Sequence, residues 1–182
     1  ATALWWAALL SMQDTRVLWI DWEMRVEDHQ ERIRTMLDDE PLPNLFHLLG
    51  TAPLAQMEDA LREHLKRLAC TYVVIDSAMA ASPGKDGNPS MMPTEFFQAL
   101  RRLKVGALII GHTTKVGEDT RPMGSIFWHN SVRASWHVLS DGDFVTLTNR
   151  KDSHGGPIAK DEALLYRISR PTLETTTITL ER

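Results

Sequence analysis

A single cysteine, Cys70, stands in a chain of 182 residues. That excludes an internal disulfide and a cysteine-rich metal site, and it fits a reducing compartment such as the cytoplasm. Cys70 itself reads as a small buried hydrophobe. Positive charge is also short: 20 Lys and Arg face 24 Asp and Glu, a formal net charge of -4. No global basic field marks the chain as a nucleic-acid binder, so any such contact must be local. Long apolar runs are lacking too. The opening ATALWWAALLSM covers only 12 residues and leads directly into a strand-like segment, so it reads as a helix and not as a membrane span. Repeats and low-complexity tracts are missing, and with them the solenoid and linker architectures.

What is present is apolar content of 43%, enough for one sizeable core and one domain over residues 1–182. Apolar runs and helical patterns alternate. The spacing predicts strand 17–22, helix 26–38, strand 45–49, helix 54–68, strand 71–76, helix 93–104 and strand 106–111. This order predicts an α/β fold with a parallel sheet and crossover helices. Breakers fall between elements, with Pro41 and Pro43 before the second strand and SPGKDGNPS after the third. Beyond residue 123 a short helix is expected, then strands at 134–139, 143–149 and 163–168 that close the sheet, partly antiparallel. The opening segment is apolar on all sides, which predicts a helix buried on most of its surface. That is unusual for the first element of an independent domain, so a preceding segment is expected.

In open parallel sheets ligands bind at the carboxyl ends of the strands. Those ends are polar here. The first strand, RVLWIDWEM, ends in Asp21 and Glu23; the third, TYVVIDS, in Asp76 and Ser77; the fourth, GALIIGHTTK, in His112, Thr113, Thr114 and Lys115. Four apolar residues followed by Asp is a pattern that holds a magnesium ion on a rigid strand. An Asp at a strand end also caps the next turn, and a Glu at this place also complements the following helix dipole. A lone histidine is as readily structural.

Taken as an ordered set, these residues resemble the RecA-like branch of P-loop ATPases, in particular the RepA-type hexameric helicase and AAA_25 group, over nearly the whole chain. The resemblance implies a RecA-like P-loop NTPase core that uses ATP and Mg2+. It assigns Glu23, in IDWE, as the general base for the attacking water, Asp76 as the residue that holds magnesium, with Ser77 orienting it, and His112 and Thr113 as phosphate sensors. The stretch RPMGSIFWHNSVRASWHV is similar to the segment following the channel loop of RecA-like rings. The loop KVGEDTRP, with Lys115 and Arg121, then implies contact with single-stranded DNA, although Glu118 and Asp119 dilute its charge and an ordinary solvated loop reads equally well. Trp128 and His129 read as packing residues. In TNRKDSHGG, Lys151, with Arg150 as second candidate, matches the basic finger that reaches a neighbouring subunit's nucleotide; a basic hairpin tip in solvent is the other reading. A finger in trans implies a homo-oligomeric ring, a hexamer in this family.

The family's phosphate cradle, G-x-x-x-x-G-K-[ST], does not occur in these 182 residues. SPGKDGNPS holds Gly-Lys, but without the earlier glycine or the following hydroxyl residue. ATALWWAALLSM is similar to the helix that follows that cradle, so the chain is expected to begin just after it and, as given, to bind ATP and oligomerise weakly. The whole protein is then expected to be an ATP hydrolase, a DNA helicase or another replication or recombination motor. The alternatives are a non-hydrolysing interaction module, a decayed mobile-element protein, and an ATPase acting on protein partners.

Overall fold

The computed structural model describes residues 2–37, 42–82, 91–113, 126–169 and 177–181. Its first half alternates as the spacing requires: α1 (Thr2–Met12), β1 (Val17–Asp21), α2 (Val26–Leu37), β2 (Leu45–Leu49), α3 (Leu54–Leu68), β3 (Tyr72–Asp76), α4 (Met91–Leu103) and β4 (Gly106–Ile110). The four strands are parallel in the order β2-β1-β3-β4. β1 is buried along all five of its residues, because it lies inside the sheet with helices on both faces.

Strand side chains alternate, so β1 and β3 feed two different cores. Leu18, Ile20, Val73 and Ile75 point toward α3 and α4, where they meet Leu54, Leu61, Leu65, Phe96 and Leu100. Val17, Trp19 and Val74 point the other way and meet Leu4, Ala7 and Ala8 of α1 and Met36 of α2. Each buried aliphatic side chain contributes about 1.5–3 kcal/mol. Across α3 and α4, the Glu58 carboxylate accepts from both Arg62 and Arg102, at 2.6 Å each. Those guanidinium groups, Arg102 foremost, hold the Glu58 carboxyl below the usual carboxylate range.

Two expectations are corrected. α1 is apolar all round, yet only the stripe Leu4, Ala7, Ala8, Ser11 is buried, while Trp6, Leu9 and Met12 are exposed. One sheet face covers one side of a helix, whatever the composition of the other side. Nor do the later strands close the parallel sheet. After α5 (Ile126–Ser131), β5 (Ala134–Asp141), β6 (Phe144–Asp152), β7 (Ala163–Ser169) and β8 (Thr177–Glu181) form a separate sheet, antiparallel throughout, in the order β5-β6-β7-β8. The physical reason is local: β5 and β6 are joined by a two-residue turn with Gly142 at φ 56°, and such a hairpin pairs consecutive strands antiparallel before any distant edge is found. β8 was not legible as a strand in the sequence. Cys70 is buried and free, and burial pushes its thiol up. Trp128 packs edge-on against Phe96 within the α4 core, as a packing residue should. No helix among the described residues is long and apolar enough to cross a membrane.

Candidate functional site

β1 and β3 are adjacent and in register, so Asp21 and Asp76 are direct neighbours at the carboxyl end of the sheet. Beyond them the backbones stay joined, since Trp22 N–H donates to the Asp76 carbonyl at 2.7 Å. Asp21 Oδ1 accepts from the backbone N–H of Glu23 and of Met24, at 2.8 Å each. The chain is thereby turned so that the Glu23 carboxylate comes back over β3. There Glu23 Oε1 accepts the buried Ser77 hydroxyl at 2.5 Å and lies 3.4 Å from His112 Nε2, which β4 delivers from the far side. Trp22 is anchored in turn: its indole N–H donates to the Ala52 carbonyl at 2.9 Å, and its ring lies flush against Gly50, where any Cβ would sit 2.1 Å from ring carbon Cε2.

The electrostatics follow from this crowding. Asp76 is pushed up to about 6, first by burial and then by the carboxylates of Asp21 and Glu23. The imidazole of His112 pulls it only partly back. Asp76, His112 and Thr113 line a cleft of about 1380 Å³, to which the second sheet and its loops contribute Arg133, Arg150 and Lys160.

Four expected site residues therefore converge: Glu23, Asp76, Ser77 and His112. Ser77 does something the sequence did not suggest, holding the Glu23 carboxylate directly. Thr113 lies on the same cleft one residue past His112. Lys151 and Arg150 are engaged within the chain. Lys151 Nζ donates to the carbonyls of His129 and Asn130 at 3.0 Å each, closing the last turn of α5. Arg150 Nη1 pairs with Asp161 Oδ1 at 2.8 Å. Lys115 and Arg121 lie outside the described residues.

Beside the site is a feature the motifs did not reveal. Asp21, His29 and His47 meet on the α1 and α2 side of the sheet. Asp21 Oδ2, His29 Nε2 and both His47 nitrogens are buried without a hydrogen-bond partner. Such groups cost about 1–3 kcal/mol each when left unpaired. Burial holds His29 down to about 4 and His47 below its ordinary value. One signal was available: a histidine inside the apolar run LFHLL faces a core.

The site is thus a parallel α/β sheet with in-register acids at its carboxyl end, a glutamate set between hydroxyl and imidazole, and a cleft beside them. The chain belongs to the AAA domain family AAA_25, whose profile matches residues 2–118; it is thus of the nucleotide-binding P-loop ATPase type. No curated protein matches the chain.

Proposed function

We propose that the protein hydrolyses ATP with Mg2+, that Glu23 is the general base, and that the hydrolysis drives a homo-oligomeric ring, a hexamer, along single-stranded DNA. The observation that carries this reading is the contact of Glu23 with Ser77 and His112, beside Asp76. A carboxylate whose Oε1 accepts the Ser77 hydroxyl and touches the His112 imidazole is aimed at one point, which is what proton abstraction from a positioned water requires. The residues also fit a hard divalent cation. Asp76 is crowded by two further carboxylates, and a cation is the partner that such uncompensated oxygen donors lack. Bound there, the ion would supply positive charge at the phosphate oxygens. Asp76 would hold it, Ser77 and His112 would orient Glu23, and Thr113 would meet the phosphate end of the nucleotide from β4.

For the motor role, support comes from family membership and from the resemblance of the 121–138 stretch to the segment after the channel loop. Lys115 and Arg121 are the proposed backbone contacts for DNA. Lys151 is the proposed finger in trans with Arg150 as its alternative, and Lys151 must leave two carbonyls to act so. Residues 1–182 are taken as one domain, working in the cytoplasm.

The test is Glu23→Gln in the whole protein. Nucleotide binding should persist while steady-state hydrolysis falls by about 10²–10⁴-fold, the usual contribution of a general base. Turnover within about twofold of the unmodified protein would remove the assignment. Loss of binding and turnover together would show that Glu23 holds the fold or the ligand instead.

A further inference from the structure

The buried group Asp21, His29 and His47 adjoins the Asp76 site, since Asp21 is the in-register neighbour of Asp76. Each residue offers one ligand atom, and these atoms all lie within 4.8 Å of one another. His47 Nε2 is 3.9 Å from Asp21 Oδ2, too far for a hydrogen bond and close enough for both to reach one ion. The rings of His29 and His47 are 4.4 Å apart between centroids, and Trp19 closes the pocket at 4.9 Å from His29. Asp21 and His29 are 1% and 2% exposed, so water from bulk does not satisfy their orphaned atoms. Protonating a histidine does not solve the problem, because it adds a donor and leaves the second imidazole without a partner. A shared cation would engage one orphaned atom of each of the three residues at once.

We propose that Asp21, His29 and His47 form a structural site for a divalent first-row transition metal of the zinc type. Two imidazoles and a carboxylate suit a borderline ion that takes nitrogen and oxygen ligands, whereas magnesium and calcium take oxygen. Tetrahedral coordination at about 2.0–2.1 Å needs the three donor atoms roughly 3.4 Å apart, so the group must contract from its present spread, which lies within 4.8 Å. Outer support is built for Asp21, whose Oδ1 is held by the N–H groups of Glu23 and Met24, leaving Oδ2 to bind the ion. The ion would tie β1, β2 and α2 together beneath the turn that carries Glu23.

The test uses the whole protein, untagged, stripped with chelator and titrated with Co2+ and then Zn2+. The expected result is a single equivalent of Co2+ giving the visible d–d bands of a low-coordinate nitrogen and oxygen site, displaced by Zn2+ and not by excess Mg2+. His29→Gln and His47→Gln should each weaken binding by more than the about 10–100-fold that loss of an outer-shell partner costs. His64→Gln and His154→Gln should leave it unchanged. Should the first two variants fail to fold, X-ray absorption on the unmodified zinc-loaded chain decides the matter by counting two imidazole ligands. Absence of stoichiometric Co2+ binding, equal binding in the folded His29 and His47 variants, displacement by Mg2+, or an absorption spectrum without two imidazoles would overturn the proposal.

Discussion

Asp76 shows how a single carboxyl carries the tension of the site. Its value of about 6, against an ordinary 3.8, means that the folded chain binds this proton more tightly than the unfolded chain does. The charged form therefore subtracts from stability, and the loss develops as pH rises from about 4 to about 6 and then stays constant. With chelator present, Asp76→Asn should stabilise the chain at pH 7.5 by about 1 kcal/mol, discounted for solvent screening, or roughly 2–4 °C in Tm. The gain should shrink as pH falls from about 6 toward 4. Thermal unfolding followed by circular dichroism measures both, and a variant less stable at pH 7.5 would show that Asp76 is compensated by something else. The neighbouring acids have different tasks at the same scale. Asp21 holds backbone, whereas Glu23 is held by side chains, and the string IDWE alone does not separate these roles.

Among elements, the connection between β1 and β2 matters most for the site. Gly50 follows β2 and meets the Trp22 ring face to face, with its N–H donating to the Asp21 carbonyl at 2.7 Å. Gly50→Ala would place a methyl group where indole atoms lie, so Trp22 must move or the strand ends must part. The expected loss is about 1–3 kcal/mol, the usual range for overpacking, visible as a lowered Tm and as quenching or shift of tryptophan fluorescence. An unchanged Tm would mean that Trp22 swings away freely and does not position Glu23. Element identity itself was well marked along the chain. Strand ends from 45 to 49 and helix ends from 54 to 68 match the observed β2 and α3, because strong periodicity and flanking breakers leave little freedom there. β8, TITLE, is short and carries only two strongly apolar residues, so it was not legible.

At the scale of the whole molecule, the second sheet brings Lys151 into contact with α5. Its ammonium completes the helix carboxyl end by accepting none and donating to two carbonyls, a favourable placement for a cation. Lys151→Met should then cost about 0.5–1 kcal/mol of stability in the isolated subunit. If Lys151 also acts across a subunit boundary, hydrolysis by the whole protein should fall far more than this loss explains, and mixing variant with unmodified subunits should lower activity more steeply than dilution. A fall in Tm with full turnover would leave Lys151 as a helix cap only.

The order of elements, the parallel sheet and the polar strand tips were all readable along the chain. They depend on near-neighbour periodicity and on where breakers fall, which are properties of consecutive residues. Glu23, Asp76, Ser77 and His112 could be nominated in the same way. Their meeting depends on the register of β1, β3 and β4, as does the contact of Ser77 with Glu23 across 54 positions. The pairing of Asp21 with His29 and His47 was invisible for the same reason. Three residues on a strand, a helix and another strand share no spacing rule, and only the packing of α2 onto one face of the sheet brings their unpaired atoms together.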